Sequence, residues 1–497
     1  MNPTQTPIEL KAGDVVYFMG IGGTGMASVA GLAQEAGYKV IGSDANIYPP
    51  MSTMLENLGI AVRTPYSPEN ILTSGAQLVV VANALSRNHV ELEAMLGSGI
   101  PYTSFPAFLG DYFLGHRKSI VVAGTHGKTT TTSLLAHVLV QLGWDPGYLI
   151  GGIPRTLPRS FALGKGPLFA IEGDEYDTAF FDKDSKFLHY RPRYVILNNI
   201  EFDHADIFPS LEAIEAQFTK LLARVDDPAR ILANVDDPGV VKLLGQLQLT
   251  HKVTRVATRG ETADASVRLL SLAPPTEGRD AAWTLRIQVA GQAPLTLRTQ
   301  LAGPHNAANI CQILACLWQI SQQKDAPQWE PRALEDAIAS FTGVKRRLDR
   351  LSSAADVEVF EDFAHHPTAV KAVIESMRTL YPSRRLIVAF EPKNATSRRN
   401  VFMHEFAASL GLADRVLIGP CPVDLRIPGD QRMNTEVMAH LIGERAQAFA
   451  DNEELLESLV REARANDAIV FMSSGSFSGI QYRIGDRLAN RMPNQSC

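Results

Sequence analysis

A phosphate-binding loop is the clearest chemical signal in the sequence. It consists of seven consecutive residues, namely Gly124, Thr125, His126, Gly127, Lys128, Thr129 and Thr130. Gly127 allows the backbone to approach a phosphate closely, Lys128 supplies a positive charge to the β- and γ-phosphates, and the hydroxyl of Thr129 can bind Mg²⁺. The spacing departs from the common pattern, which has glycine where this chain has Val122. We predict a site for ATP and Mg²⁺.

A glycine-rich turn near the N-terminus predicts a second site, for a pyrophosphate. The residues assigned to it are Gly20, Gly22, Gly23, Gly25, Ser43 and Asp44. The glycines let the backbone approach the anion, and the N-terminus of the next helix offers free N–H groups. The motif alone does not choose among NAD, FAD and a UDP-sugar, and a tight turn without a ligand is the other interpretation. Because a simple dehydrogenase needs no triphosphate site, the two turns together favour one nucleotide-linked substrate and one ATP.

Acidic side chains and a histidine follow two predicted strands in the middle of the chain. Glu172 follows the apolar segment 168–171, and His204 lies in the polar stretch 198–206 after the segment 194–197. Carboxylates at the end of a strand beside a phosphate loop suit Mg²⁺, although a solvated turn is an equal alternative for the first group. The histidine and its acidic neighbours predict a second metal site.

Three further polar residues are candidates for contact with ATP. Asn306 is placed near the start of a helix, where it would either cap the helix or read adenine through its amide. Arg346 and Arg347 belong to a basic triplet, which is either a solvated turn or a source of positive charge for a transferring phosphoryl group.

A cluster of ionisable residues follows the predicted strand 357–360. It contains Asp362, His365 and His366, and Pro367 then begins a helix. Adjacent histidines point in different directions, so we expect at most one of the two to face a given ligand.

Alternating apolar strands and helices must position these motifs. The strand 15–19 leads into the first glycine turn and the strand 119–123 into the phosphate loop, as in parallel α/β domains. Residues 254–301 alternate more and predict a mainly antiparallel segment. We predict three domains, whose bounds are 1–117, 118–342 and 343–497.

Composition excludes several classes of function. Of the 497 residues, 20% are charged and 45% hydrophobic, which is ordinary for a globular protein of several domains. The net charge of −6 argues against a nucleic-acid partner. No apolar run is long enough for a membrane helix, and the N-terminus lacks the apolar core of a signal peptide, so we expect a cytoplasmic protein without a membrane partner. The four cysteines form no CxxC pair, which argues against a zinc site built from them.

Taken together, these motifs resemble the Mur ligase family. The matching segments occur in the family's order and span nearly the whole chain; they are 20–25, 124–130, 172–177, 199–206, 303–306, 341–349 and 362–367. Several other segments are more similar to the members that attach a recycled tripeptide, namely 42–53, 180–183, 199–208 and 472–477. The resemblance implies an α/β fold with a Rossmann-like N-terminal domain, a P-loop ATPase-like central domain and a Rossmann-like C-terminal domain.

The resemblance also implies a role for each candidate residue. The N-terminal turn would bind a UDP-sugar, Lys128 would contact the phosphates, Thr129 and Glu172 would hold one Mg²⁺, and His204 would help to hold a second. Asn306 would read adenine, while Arg347 and Asp362 would form the third domain's side of the ATP site. Arg346, His365 and His366 would complete the catalytic group. Lys393, which stands where the family pattern has arginine, would contact the peptide.

The activity implied is an ATP-dependent ligation. It would join the carboxylate of UDP-N-acetylmuramate to the amine of L-Ala-γ-D-Glu-meso-diaminopimelate through an acyl phosphate, in cell-wall peptide recycling, by a monomer or homodimer. The alternative within the family is addition of L-alanine to the same acceptor, and the segment 391–396 favours the tripeptide. Two other classes stay open, namely an oxidoreductase that uses the first glycine turn and a UDP-sugar sensor without catalysis.

Overall fold

A computed structural model describes residues 7–259, 264–275, 282–324 and 326–491. These residues form three sheets with flanking helices and a separate two-stranded ribbon. Each sheet corresponds to one of the three predicted α/β units, whose exact boundaries stay a prediction. Cys497 lies outside the described residues, as does part of the segment predicted to be antiparallel.

The N-terminal unit is built on a fully parallel sheet of five strands in the order β3-β2-β1-β4-β5. The strands are β1 (Val15–Met19), β2 (Lys39–Ser43), β3 (Ala61–Arg63), β4 (Leu78–Val81) and β5 (Tyr102–Ser104). The helices are α1 (Thr24–Glu35), α2 (Met51–Asn57), α3 (Pro68–Leu72), α4 (Val90–Ser98) and α5 (Phe105–Leu109). The central strands β1 and β4 are apolar runs because helices cover both faces of the sheet.

The central unit contains a sheet of ten strands in the order β17-β16-β15-β14-β13-β12-β6-β9-β7-β8. The strands of this sheet that lead to the candidate site are β6 (Lys118–Ala123), β7 (Gly147–Leu149), β8 (Phe161–Ala162), β9 (Leu168–Gly173) and β12 (Pro192–Leu197). Strands β10 (Asp177–Ala179) and β11 (Asp182–Ser185) form the separate ribbon. The others are β13 (Ile231–Asn234), β14 (Thr254–Ala257), β15 (Val267–Ala273), β16 (Trp283–Val289) and β17 (Leu295–Thr299). The helices are α6 (Lys128–Gln141), α7 (Leu211–Leu222), α8 (Pro238–Gln246), α9 (Pro304–Ser321) and α10 (Pro331–Ala339).

The mainly antiparallel segment predicted over 254–301 is present, but its first strand belongs to the parallel part of the sheet. Strands β15, β16 and β17 pair in antiparallel fashion, but β14 is parallel to both of its neighbours. It therefore continues the parallel sheet, and the direction changes one strand later than the sequence pattern indicated.

The C-terminal unit has a six-stranded sheet in the order β18-β19-β23-β20-β21-β22, in which only the β18–β19 pair is antiparallel. The strands are β18 (Asp349–Ala354), β19 (Val357–Asp362), β20 (Arg385–Phe390), β21 (Arg415–Ile418), β22 (Ala446–Ala448) and β23 (Asp467–Met472). The helices are α11 (Pro367–Leu380), α12 (Met403–Leu410), α13 (Thr435–Ile442), α14 (Asn452–Glu462) and α15 (Ile480–Arg491).

Three predicted element ends are wrong at the candidate site. Glu172 lies inside β9 because β9 continues to pair with β6 as far as Gly173, and Asp362 is the last residue of β19 because it still pairs with β23. Helix α9 begins at Pro304, a residue suited to the first helical turn, and Gly303 precedes it. The hypothesis that Asn306 caps this helix is therefore wrong.

The N-terminal and central units pack directly against each other. Helix α1 lies on β8, and the ring of Phe161 fills the space above Gly31, where a Cβ atom would overlap the ring. Glu35 at the end of α1 accepts a hydrogen bond from the backbone N–H of Leu163 at 2.8 Å and pairs with Arg159 at 3.0 Å. The position of the first glycine turn relative to the central unit is thus set by close packing.

We expect Gly31→Ala to destabilise this contact. Added volume in a tightly packed interface typically costs about 1–3 kcal/mol, and the buried ring of Phe161 has little room to move. Gly97→Ala is the matched control, because Gly97 is an exposed residue of α4 and a Cβ atom there would meet open space. This substitution should stabilise the protein by roughly 0.5–1 kcal/mol, because alanine favours a helix more than glycine does. Urea unfolding of both variants checks the expectation, and equal stability of the two would contradict it.

Candidate functional site

The phosphate loop connects β6 to α6 and adopts a conformation that needs glycine at two positions. Gly124 and Gly127 have φ angles of +138° and +81°, and α6 begins directly after Gly127. A Cβ atom at Gly127 would lie 3.0 Å from Asn309 and 3.1 Å from Asn198, so space as well as backbone angle excludes a side chain there. The first N–H groups of α6 therefore point into an open loop, as an anion site requires.

Lys128 is held by a carboxylate that the sequence analysis did not single out. Its Nζ donates to the carbonyl of Gly124 at 2.8 Å and pairs with Glu175 at 2.9 Å. Burial alone would lower the pKa of Lys128, but the charges of Glu175 and Asp174 outweigh this effect and leave the pKa raised. Lys128 therefore stays charged and faces the loop. The sequence signals for Glu175 were its place in the acidic run after β9 and in the family-like segment 172–177.

Thr129 and Glu172 come together beside the loop. The Thr129 hydroxyl donates to Glu172 Oε2 at 3.1 Å, and the backbone N–H of Gly151 donates to Glu172 Oε1 at 2.6 Å. Burial, with a further contribution from Asp174, raises the pKa of Glu172 to about 7. Two oxygen donors at this separation, next to a phosphate loop, match the ligands that Mg²⁺ takes in proteins.

His204 lies on the other side of the buried Glu175 carboxylate. Its Nε2 atom is 3.6 Å from Glu175 Oε1, and its ring packs on Tyr176 at a centroid distance of 5.1 Å. The residue has a φ of +54°, in the left-handed region. The structure thus brings His204 together with Lys128 and Glu175, while Glu172 lies with Thr129.

The two adjacent arginines of the C-terminal unit face different partners. Arg347 Nη2 lies 3.3 Å from the Thr129 hydroxyl and so reaches the phosphate loop from the opposite unit. Arg346 Nη2 instead donates to the carbonyls of Ser473, at 2.9 Å, and of Gly475. Arg346 has a φ of +61°, in the left-handed region. The structure therefore brings Arg347, and not Arg346, to the ATP-site candidates.

Asp362 supports the chain segment that carries these arginines. Its carboxylate accepts hydrogen bonds from the backbone N–H groups of Leu348, at 2.6 Å, and Ala364, at 2.7 Å. Burial raises the pKa of Asp362, although the nearby Arg347 opposes that shift. Asp362 thus positions the loop after Arg347 rather than pointing freely at the phosphate loop.

Both histidines before α11 contact the central unit at the segment that follows β12. His365 Nε2 lies 3.8 Å from Asp203, while His366 Nε2 lies 3.2 Å from the carbonyl of Phe202 and the same ring stacks near His126 at 4.6 Å. They engage different partners, as expected of neighbours in the chain. Neither contacts Lys128 directly.

Asn306 and Asn309 form a pair along one face of α9, against the phosphate loop. The Asn306 amide donates to the carbonyl of Ala302 at 2.7 Å and accepts a hydrogen bond from Asn309 at 3.2 Å. Asn309 was not singled out from the sequence, but its spacing of three residues from Asn306 in a helix places both on one side. Thr130, the last loop residue assigned to the cofactor, is buried in the first turn of α6.

The first glycine turn opens onto a cleft of about 390 Å³ between the N-terminal and central units. Residues that line it from both units include Gly20, Gly23, Gly25, Asp44, Glu172 and Lys186. Asp44 accepts a hydrogen bond from the backbone N–H of Gly22 at 2.8 Å, which fixes the turn. The cleft therefore joins the turn to the acidic strand end beside the phosphate loop.

Ser43 and Lys186 differ from the sequence-based prediction in their position relative to this cleft. Ser43 does not reach the cleft, because its side chain is fully buried and its hydroxyl donates to Glu91. Lys186, which the sequence analysis missed, lines the cleft and lies 3.4 Å from Asp174 and 3.9 Å from the centre of the Tyr176 ring. Burial lowers the pKa of its amine, and the charge of Asp174 opposes that shift. No motif spacing pointed to Lys186, since it belongs to a short 3₁₀ turn after β11.

Lys393 lies in the loop after β20 and is exposed. Its stem packs beside Gly475, where a Cβ atom would lie 2.7 Å from Lys393 Cγ. The preceding Glu391 is buried and accepts hydrogen bonds from Ser473 at 2.8 Å and Asn452 at 3.1 Å, so it braces the loop. Of the segment 391–396, Lys393 is thus the cation that is available to a ligand.

The chain matches family models over all three units. Residues 15–117 match the Mur ligase family catalytic domain, residues 122–317 the Mur ligase middle domain, and residues 346–475 the Mur ligase glutamate ligase domain. Within the described ranges, no helix has the length and apolar character needed to cross a membrane.

Similar proteins match along almost their full length. The chain is 36% identical to UDP-N-acetylmuramate–L-alanyl-γ-D-glutamyl-meso-2,6-diaminoheptandioate ligase of Escherichia coli, over 96% of this chain and 98% of the relative. It is 34% identical to UDP-N-acetylmuramate–L-alanine ligase of Cutibacterium acnes, over 94% of this chain and 95% of the relative. A crystal structure of murein peptide ligase from Psychrobacter arcticus superimposes with a TM-score of 0.70 at 33% identity, covering 96% of this chain and 99% of the other. The chain therefore belongs to the Mur ligase family of ATP-dependent ligases.

Proposed function

We propose that this protein joins the lactyl carboxylate of UDP-N-acetylmuramate to the α-amine of L-Ala-γ-D-Glu-meso-diaminopimelate, at the expense of ATP, in cell-wall peptide recycling. The observation that supports it most is the near-full-length similarity to a ligase whose name specifies that acceptor and that peptide. Because the reaction uses ATP, we place it in the cytoplasm. We propose that the protein is active as a monomer or as a homodimer, since one chain supplies every residue of the candidate site.

The three units would divide the substrates among them. We assign residues 1–117 to the UDP-sugar, residues 118–342 to ATP and residues 343–497 to the peptide. The cleft between the first two units supports this assignment, because it runs from the glycine turn to Glu172. A pyrophosphate on Gly20, Gly22, Gly23 and Gly25 would then direct the sugar's carboxylate toward the phosphate loop, with Lys186 as a nearby cation.

The first step would be transfer of a phosphoryl group. A carboxylate oxygen of the sugar acid attacks the γ-phosphorus, the bond to ADP breaks, and an acyl phosphate forms. Lys128 and Arg347 would hold the phosphoryl oxygens from the central and C-terminal units, since catalysis of such transfers is mainly electrostatic and positional. Thr129 and Glu172 would bind Mg²⁺, with His204 near a second ion, and bound Mg²⁺ would offset the negative charge of the phosphates.

The second step would be attack by the amine. The peptide nitrogen bonds to the carbonyl carbon, phosphate leaves, and the amine gives up a proton. The candidate base is His204, whose ring lies beside Glu175 at the mouth of the loop, as long as no ion is bound to its Nε2; with an ion bound there, a nearby carboxylate would take the proton. Contacts of Arg347, His365 and His366 with the central unit would close the site against water, which would otherwise hydrolyse the acyl phosphate. Arg346 and Asp362 would position the loop that carries Arg347.

Phosphate release with two alternative amines tests the proposed reaction. UDP-N-acetylmuramate, ATP and Mg²⁺ are mixed with L-alanine in one tube and with the tripeptide in the other. We expect phosphate and ligated product only with the tripeptide. Release only with L-alanine would assign the biosynthetic reaction instead, and no release with either amine would favour a UDP-sugar sensor.

Lys393→Ala should weaken recognition of the peptide. A hydrogen bond to a charged group contributes about 1.5–3 kcal/mol, so the KM for the tripeptide should rise roughly 10-fold or more while the KM for ATP stays unchanged. Lys371→Ala is the control, since Lys371 is an exposed lysine of α11 paired with Glu375. Steady-state kinetics with each substrate varied in turn measures both constants. An unchanged KM for the tripeptide would remove Lys393 from the peptide site.

A further inference from the structure

Three metal-ligating side chains meet where the phosphate loop touches the start of α11. His126 belongs to the loop, Glu201 follows β12, and His366 directly precedes α11. His126 Nε2 lies 3.3 Å and His366 Nδ1 lies 3.5 Å from the same Glu201 oxygen, and all three ligand atoms are within 4.8 Å of one another. Among the residues that the structure describes, this is the one such group of three histidine, cysteine or acidic side chains.

The hydrogen bonds of His366 leave one of its nitrogen lone pairs facing the cluster. Burial, with the neighbouring His126, lowers the pKa of His366 to about 4, so the ring is neutral. Its Nε2–H donates to the carbonyl of Phe202 at 3.2 Å. Nδ1 is then an acceptor, and it takes a hydrogen bond of 3.4 Å from the backbone N–H of Thr368 that caps α11, which an ion on Nδ1 would replace. A neutral imidazole that donates its other N–H to a carbonyl is the usual state of a metal-bound histidine.

Glu201 presents a second acceptor to the same point. Burial would raise its pKa, but hydrogen bonds with His126 and Thr368 lower the pKa to about 2, so Glu201 is a carboxylate. The Thr368 hydroxyl donates to Glu201 Oε2 at 2.7 Å and orients it. His366 Nδ1 and the Glu201 oxygen thus lie 3.5 Å apart without a hydrogen bond between them, and His126 Nε2 lies 3.3 Å from the same oxygen. A cation that replaced the proton of His126 Nε2 could be held by all three atoms.

We propose that His126, Glu201 and His366 bind a divalent transition-metal ion of the zinc type, which fastens the C-terminal unit to the central unit. Two imidazoles and one carboxylate are a ligand set that suits Zn²⁺, whereas Mg²⁺ prefers oxygen ligands such as those of Thr129 and Glu172. The site is therefore chemically distinct from the proposed magnesium site. Its ligands come from two units, so the ion binds only when these units are together and stabilises that arrangement.

Cobalt titration of the full-length protein tests the site. Co²⁺ substitutes for Zn²⁺ and has visible d–d absorption, and saturating Mg²⁺ in the buffer keeps the oxygen-rich site occupied. We expect wild-type protein without nucleotide to bind one equivalent, displaced by Zn²⁺. His126→Ala and His366→Ala each remove one ligand, from different units, and should weaken binding at least about 100-fold, because loss of a ligand's hydrogen-bond partner alone costs about 10–100-fold.

Two further variants make the test independent of folding defects. Thr368→Val keeps all three ligands but removes the hydrogen bond to Glu201, and it should weaken cobalt binding about 10-fold. His404→Ala removes an exposed histidine outside the cluster and should leave the affinity unchanged. Added Zn²⁺ should raise the Tm of wild-type protein and of His404→Ala but not that of His366→Ala. A wild-type protein without a cobalt spectrum, or folded cluster variants that bind like His404→Ala, would overturn the proposal.

Discussion

Lys128→Ala should lower kcat by about 10³-fold or more, because it removes a charge that acts on the transferring phosphoryl group in a site shielded from water. Lys128 is the cation at the start of α6, and its pKa is raised by Glu175 and Asp174 despite burial, so it is charged throughout the working pH range. The expected loss is in kcat more than in the KM for the sugar, whose cleft Lys128 does not line. Single-turnover phosphate release measures the transfer step itself.

The contact with Glu175 requires a second variant in that experiment. The Glu175 side chain is only 2% exposed, so removal of Lys128 takes away the cation closest to a buried carboxylate and leaves it only the longer contact with His204, and loss of such a partner costs up to about 3–5 kcal/mol of stability. Lys128→Ala combined with Glu175→Gln removes that charge. If the double variant is as stable as wild type and still inactive, the loss of activity is chemical. Wild-type kcat in either variant would exclude Lys128 from catalysis.

Arg347→Ala should lower kcat by about 10³-fold as well, with little change in the KM for ATP. Arg347 reaches Thr129 at 3.3 Å from the C-terminal unit and so supplies positive charge only when the two units are closed together. An arginine delivered in this way to a phosphoryl group typically contributes about 10³–10⁵-fold to the rate. The binding of ATP before closure depends on the central unit, and it should survive the substitution.

Two comparisons sharpen the test of Arg347. Arg347→Lys keeps the charge but loses the planar pair of donors, so it should recover only part of the rate. Arg346→Lys is the control at the neighbouring position. Arg346 donates hydrogen bonds to the Ser473 and Gly475 carbonyls, so this substitution should act by changing the position of the loop and the stability of the protein. Equal rates for wild type and Arg347→Ala, at saturating ATP and both other substrates, would contradict the assignment. A larger defect at Arg346 than at Arg347 would reverse the roles of the two residues.

Local signals in the sequence were sufficient for the phosphate loop and most strands around it. Strand β1 begins and ends where the apolar run predicted, and β6 begins only one residue before its predicted start, since buried parallel strands are continuous apolar segments bounded by polar or glycine residues. The apolar pattern gave the wrong strand end where strand pairing continues beyond the last apolar residue. Glu172 and Asp362 are polar, yet each lies in a strand because it still pairs with the neighbouring strand of the sheet. Of the two roles proposed for Asn306, helix capping is wrong because α9 already begins at Pro304, whose fixed backbone angle suits the first helical position.

The sequence by itself determined which chemical groups are present and which loops hold them: a phosphate loop with Lys128, acidic strand ends, and a histidine pair before α11. These are properties of short segments, where residue type and spacing fix the backbone conformation. Only the tertiary structure decided that Glu175 pairs with Lys128, that Arg347 rather than Arg346 reaches Thr129, and that His126, Glu201 and His366 meet. Each of these contacts joins residues from different loops or units. The distance between the two residues of such a contact depends on how sheets and helices pack. This packing produces no periodic pattern in the sequence around the contacting residues, so the sequence does not predict the contact.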